Sequence, residues 1–173
     1  MNRLTRTLSI AAGALLIFGC TSELTAPGAP TMAEARGGET QFTLCQAQPP
    51  AFTSGWIGPK GGYLKAGRHV LKVPSGALSK NVLISMEAPS SSINRVHFEP
   101  SGLTFNSGTN AFLVMSYAHC SVEPGYGQEI VQINSKLKVL EVSPSVTDTV
   151  AETVEGKLFH FSDYALSTYA VVY

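Results

Sequence analysis

The sequence lacks an excess of charge of either sign. Twelve Lys and Arg residues balance twelve Asp and Glu residues in a chain of 173 residues, so the formal net charge is zero. Proteins that bind nucleic acids or anionic lipid surfaces usually present a basic patch, and none is evident here. We therefore expect no nucleic-acid partner and little long-range steering of any ligand.

The sequence after residue 40 also lacks the 3.6-residue apolar period of an amphipathic helix. Glycine and proline instead separate short runs of β-branched and aromatic residues. Val82, Ile84 and Met86 alternate with other residues, as in a half-buried strand. The pattern predicts an all-β fold, an antiparallel β-sandwich of about nine short strands, with a tight turn at Asn134-Ser135. The predicted strands are Gln41–Ala47, His69–Val73, Val82–Glu87, Arg95–Glu99, Ala111–Tyr117, Glu129–Ile133, Leu137–Val142, Thr153–His160 and Tyr164–Val172.

Metal-ligand spacing is missing as well. The four histidines, His69, His97, His119 and His160, include no pair at a spacing typical of metal ligands. Glu99 follows His97 by two residues and is expected on the same strand face, but two ligands do not make a site. The chain also has no strand-to-helix serine elbow and no phosphate-binding loop. We predict no metal, no cofactor and no conventional enzymatic activity.

The first twenty residues have the pattern of a bacterial lipoprotein signal peptide. Arg3 and Arg6 precede an apolar run, Leu8–Phe18, and the segment Leu16–Cys20 resembles a lipobox. Eleven apolar residues span only about 16 Å as a helix, whereas the hydrocarbon core of a bilayer is about 30 Å thick. We therefore expect residues 1–19 to be a cleaved signal peptide and Cys20 to carry diacylglycerol and palmitate.

The segment after the lipobox predicts how the protein is held at the membrane. Residues 20–40 are rich in Ala, Pro, Gly, Thr and Glu and show no apolar period, so we expect a lipidated cysteine followed by a disordered tether. Residues 41–173 are long enough for one domain with its own core. Because Thr21 rather than Asp follows Cys20, the expected location is the outer membrane of a bacterial cell envelope.

Two cysteines remain besides Cys20. Cys45 and Cys120 lie in a domain predicted to be exported, where disulfides persist, so we predict that they form a bond. The alternative is a pair of buried thiols.

Four motifs in the domain resemble a known family. In order, they are Gly61-Gly62-Tyr63-Leu64, Leu71-Lys72-Val73-Pro74-Ser75-Gly76-Ala77-Leu78, Phe98-Glu99-Pro100-Ser101-Gly102-Leu103-Thr104-Phe105 and His160-Phe161-Ser162-Asp163-Tyr164-Ala165. The series, from about Trp56 to Tyr169, resembles the ZU-five domain of tight-junction scaffold proteins, Unc-5 receptors and ankyrins. The resemblance implies an antiparallel β-sandwich that makes protein–protein contacts. We therefore expect a non-enzymatic binding or scaffolding module with a protein partner in the envelope.

The triplet His160-Phe161-Ser162 carries an alternative function. A similar triplet cleaves itself in some ZU-five proteins and in the adhesion-receptor autoproteolysis domain. By the same chemistry in this chain, His160 would deprotonate Ser162, and the serine oxygen would attack the Phe161 carbonyl. The resulting ester would then be hydrolysed by water. The other interpretation is structural, with Phe161 in the core and its neighbours hydrogen-bonded locally.

Trp56, the single tryptophan, suggests a further alternative. Together with the nearby Phe52 and Tyr63, it has the chemistry of a sugar-stacking platform, which would make the domain a carbohydrate-binding module. Lone tryptophans in small sandwiches are more often buried, so we expect Trp56 in the core.

Overall fold

The protein folds into two antiparallel sheets without a helix, as seen in a computed structural model that describes residues 41–170. The predicted all-β sandwich is confirmed. No helix within these residues is long and apolar enough to cross a membrane. The predicted signal peptide, Cys20 and the tether lie outside the described residues.

The described part of the chain contains twelve strands rather than about nine. They are β1 (Gln41–Phe42), β2 (Ala51–Ile57), β3 (Gly62–Ala66), β4 (His69–Val73), β5 (Val82–Ala88), β6 (Arg95–Glu99), β7 (Ala111–Ser116), β8 (Tyr126–Ile133), β9 (Val139–Ser143), β10 (Ser145–Asp148), β11 (Thr153–Leu158) and β12 (Asp163–Ala170).

The prediction was wrong about β2, β3 and β10, which it did not include, and about the length of the first strand. β2 and β3 contain or adjoin glycines that sequence rules treat as turn residues, and β10 has only four residues. The predicted strand Gln41–Ala47 ends at Phe42, and only single bridges continue it at Leu44 and Cys45. Its Cys45 bridge pairs with Cys120 instead of continuing the ladder along β12.

The two sheets differ in size. The larger one has the order β2-β5-β6-β12-β8-β9, and β1 pairs with β12 beside β6. The smaller one has the order β10-β11-β7-β4-β3. β2 and β3 follow one another in the chain but lie at the edges of different sheets, joined by a tight turn with a bridge between Gly58 and Gly61.

The core lies between the sheets, where strand alternation places one apolar face of each. β5 turns Ile84 and Met86 inward, and β7 does the same with Leu113 and Met115. Full burial of one such side chain contributes about 1.5–3 kcal/mol. The alternation recognised in the sequence therefore identifies the core face correctly.

The predicted turn after β8 is confirmed, although β9 begins at Val139, two residues later than expected. The Asn134 side-chain oxygen accepts hydrogen bonds from the backbone N–H groups of Lys136 (2.9 Å) and Lys138 (3.0 Å). Leu137 has a φ of 58° inside this turn, so it cannot start the ladder.

Candidate functional site

Phe161, which precedes the peptide bond that self-cleavage would break, is held by backbone hydrogen bonds at both its N–H and its carbonyl. Phe161 is fully buried, and its N–H donates to the Leu103 carbonyl at 2.9 Å. Its carbonyl accepts from the Gly102 N–H at 2.8 Å. The ring stacks on Phe98 at 4.9 Å and meets Phe105 edge-on at 5.4 Å. These contacts match the structural interpretation of Phe161 as a core residue.

The nucleophile of the triplet has another partner, and the backbone carbonyl of His160 is bonded to Tyr164. The Ser162 hydroxyl accepts a hydrogen bond from the Gln132 amide at 3.1 Å. The buried Tyr164 hydroxyl donates to the His160 carbonyl at 2.6 Å, and burial raises the pKa of that phenol. Within residues 41–170, no hydrogen bond connects the His160 ring to Ser162. Deprotonation of the serine by this imidazole would therefore require a rearrangement that brings the ring and the hydroxyl into hydrogen-bond contact.

We expect the chain to remain intact during long incubation at neutral pH, because the Ser162 hydroxyl is engaged by Gln132 and no hydrogen bond within the described residues connects it to the His160 ring. Denaturing mass spectrometry of the purified protein checks this. Cleavage between Phe161 and Ser162 would release residues 162–173, a fragment of 12 residues. Its appearance in the parent but not in a Ser162→Ala variant would contradict the prediction and establish self-cleavage.

The predicted disulfide between Cys45 and Cys120 is present, with an S–S distance of 2.00 Å. It joins the segment after β1 to the connection after β7. His119 lies beside it, and one of its ring nitrogens and the two sulfurs fall within 4.8 Å of one another. Metals bind cysteine as the thiolate, and the bonded sulfurs are not thiolates. While the disulfide is intact, the two cysteines are therefore a covalent link in the fold, and together with His119 they do not form a metal centre.

The expectation that Trp56 is buried was wrong. Trp56 is 71% exposed, and Phe52 on the same strand is 68% exposed. β2 turns its odd-numbered residues inward, ending with the buried Ile57, so the even-numbered ones must face solvent. The inward side is also tight, since a Cβ on Gly55 would lie 3.0 Å from the Leu64 side chain.

Trp56 and Phe52 form one exposed surface with Leu83, which is the cross-strand partner of Trp56 on β5 and is 51% exposed. We call these three residues the apolar edge. Tyr63 does not belong to it: its neighbour Leu64 is buried in the core, so the tyrosine faces outward from the other sheet. The three aromatic residues that are close in sequence therefore do not make one platform.

An acidic row borders the apolar edge on the same outer face, formed by Glu87 on β5, Glu99 on β6 and Asp163 on β12. His97 lies at its centre, 3.2 Å from a Glu99 oxygen and 3.0 Å from an Asp163 oxygen. The Ser101 N–H and, to a lesser degree, His97 hold the pKa of Glu99 below its usual range. The predicted sharing of a strand face by His97 and Glu99 is confirmed, within a cluster of three carboxylates around one imidazole.

The proximity of His69 and His119 could not be recognised from the sequence. They are 50 residues apart, and no spacing rule connects them. His69 begins β4 and His119 follows β7, and these strands are neighbours in the smaller sheet. The pairing of β4 with β7 places the two rings at the same end of the sandwich, and the sequence alone does not reveal that pairing.

Comparison with known proteins adds no relative. No known family model matches this chain, and no curated protein matches it. The molecule is thus defined by its fold, an antiparallel β-sandwich closed by one internal disulfide, and the ZU-five resemblance stays a prediction that rests on the four motifs.

Proposed function

We propose that the protein is a lipid-anchored, non-enzymatic binding module of the bacterial cell envelope, which docks a protein partner on its apolar edge. The observation that carries this proposal is the joint exposure of Phe52, Trp56 and Leu83 on one outer face. Single exposed apolar residues are normal, but three large ones on one outer face, two of them cross-strand partners, are typical of an interaction surface. Tryptophan is also the residue most often found among those that dominate binding energy at protein interfaces.

The charge around the apolar edge indicates the chemistry of the partner. Glu87 is the cross-strand neighbour of Phe52, and it begins the acidic row. Complementary potentials across an interface raise the association rate and suppress wrong partners. The matching surface is an apolar patch with Lys or Arg on its rim, and we expect binding to weaken at high ionic strength.

The anchor in this proposal comes from the sequence of the N-terminal segment. Acyl chains on Cys20 hold the protein in the membrane, and the tether that follows spans about 25 Å if its twenty residues are flexible. The domain then stands away from the lipid, so the apolar edge is accessible to proteins of the envelope.

A carbohydrate ligand is the second candidate, favoured by the arrangement of polar groups along β2. Phe52 and Trp56 lie four residues apart on the same face, about 13 Å along the strand. Ser54 lies between them, and Ser85 pairs with it from β5. Along β2, aromatic rings that can stack on sugars would therefore alternate with hydroxyl groups that can hydrogen-bond to sugars. The protein partner is preferred because Leu83 and the acidic row have no role in this scheme.

We expect the docking to be lost when the apolar edge is truncated. A photo-crosslinking amino acid in place of Ser54, between Phe52 and Trp56, should form one discrete adduct with an envelope protein in living cells. Trp56→Ala should weaken binding about 10-fold or more, as for a central aromatic residue of an interface, and remove the adduct. Val150→Ala is the matched control, because Val150 is apolar and 95% exposed but lies beyond β10 in the other sheet.

The result separates the two candidates. An adduct of equal yield in the parent and in Trp56→Ala would contradict docking at the apolar edge. Binding of the purified protein to a glycan array, lost in Trp56→Ala and kept in Val150→Ala, would assign the surface to carbohydrate instead.

A further inference from the structure

A cavity of about 300 Å³ opens at one end of the sandwich, near the disulfide. Four connections meet there: the segment before β2, the turn between β3 and β4, the connection from β5 to β6, and the loop after β7. We call it the basic pocket. Its polar lining consists chiefly of Arg68, His69, Asn94, Arg95 and His119. The volume is at the lower end of the range for small-molecule sites in proteins.

Three residues of this lining each have one buried side-chain nitrogen without a hydrogen-bond partner: His69 (Nδ1), His119 (Nδ1) and Arg95 (Nε). These nitrogens are all of the unpartnered, fully buried side-chain nitrogen and oxygen atoms within residues 41–170. His69 as a whole is only 6% exposed. An unsatisfied buried donor or acceptor costs about 1–3 kcal/mol, so three of them on residues that line one cavity point to a polar ligand there.

The charge of the lining selects the kind of ligand. No Asp or Glu lines the pocket, and neither Arg68 nor Arg95 forms an ion pair within the described part of the chain. Burial, with a smaller effect of the positive charge on His119, lowers the pKa of His69 to about 4. Burial and the charge on Arg68 also lower the pKa of His119. At neutral pH the imidazoles are therefore uncharged, and the two guanidinium groups supply the positive charge.

We propose that the basic pocket binds a small organic carboxylate. Arginine presents a planar fork that matches the two oxygens of a carboxylate, and a neutral imidazole adds an N–H donor at either ring nitrogen. Pro50, Ala88 and Ile93 supply an apolar wall for the body of the ligand. The inference is independent of docking at the apolar edge, whose side chains do not line this cavity.

The fold positions the two arginines differently. Arg95 is the first residue of β6 and is half-buried, so its stem is fixed by the sheet. Arg68 is exposed at the tip of the turn between β3 and β4, where Gly67 adopts a φ of 58° that glycine tolerates. Arg95 therefore orients the carboxylate, and Arg68 pairs with it from the solvent-exposed side of the pocket.

Isothermal titration calorimetry of the full-length protein in non-ionic detergent tests the proposal. The probes are benzoate, galacturonate and inorganic phosphate. We expect saturable binding of at least one carboxylate with a Kd of about 1 mM or tighter, and weaker binding of phosphate. Arg95→Gln should weaken the carboxylate about 10-fold or more. Lys80→Gln, which removes the same charge from an exposed residue outside the pocket, should have no effect.

Two further measurements keep the test decisive. The imidazole NMR signals of His69 and His119 should shift on addition of the bound carboxylate, whereas that of His160 should not. If Arg95→Gln does not fold, Arg68→Gln replaces it, because that side chain is exposed. The proposal is overturned if neither carboxylate saturates, if phosphate binds more tightly than both, or if Lys80→Gln weakens binding as much as the pocket variant.

Discussion

Replacing Cys45 and Cys120 together by serine is expected to lower the free energy of unfolding by about 4–5 kcal/mol. The disulfide closes a loop with a sequence separation of 75 residues. In the chain-entropy model, opening so long a loop restores much conformational freedom to the unfolded state, and the cost grows with the logarithm of loop length. For a domain of this size, the melting temperature should fall by roughly 10–20 °C.

Calorimetry or thermal denaturation of the purified protein measures the effect. The control is the parent protein in excess reductant, which should have the same melting temperature as the double serine variant. Reductant should not change the melting temperature of the variant itself. Equal melting temperatures of the variant and the oxidised parent would show that the bond does not stabilise the domain. Alkylation of both thiols in protein taken directly from the envelope would show that the bond is not formed there.

Cys20→Ala is expected to remove the protein from the outer-membrane fraction. Each methylene of a buried acyl chain contributes about 0.8 kcal/mol, and stable anchoring takes more than one chain. The apolar run before Cys20 does not replace them, because eleven residues are too short to span a bilayer. We therefore expect almost all of the parent protein, and almost none of the Cys20→Ala variant, in the outer-membrane fraction.

Labelling with radioactive palmitate, followed by fractionation of the envelope, gives the measurement. The parent should carry the label and Cys20→Ala should not. The double serine variant of Cys45 and Cys120 is the matched control, because it also loses cysteines but keeps the lipobox, and it should remain labelled. Retention of Cys20→Ala in the same fraction as the parent would contradict the lipoprotein assignment.

Features that depend on local order in the chain could be predicted from the sequence. Alternation in Val82–Glu87 identified β5 and its buried face, and the Asn134 turn was recognisable by its residue types. The disulfide followed from counting, because only two cysteines remain after the lipobox. In each case the decisive interaction lies within a few residues, or the choice of partners is unique.

Features that depend on the register of strands against each other could not be predicted. Trp56 faces solvent because Ile57 faces the core, and the sequence of β2 alone does not say which of the two faces is buried. The basic pocket is assembled by the pairing of β4 with β7, which brings His69 and His119 together across 50 residues. Composition and spacing carry no information on such pairings.

The disulfide also determines which part of the domain bears mechanical tension. A pull between the two ends of the domain passes from the N-terminal segment through the sulfur–sulfur bond to Cys120, and then along the C-terminal half. The residues from 46 to 119, which include β2 to β7, lie outside this covalent path. About 250 Å of chain therefore cannot be drawn out while the bond is intact. All residues of the apolar edge and of the basic pocket's lining lie inside this loop, so a pull on the anchor cannot draw out the chain segments that form them while the bond is intact.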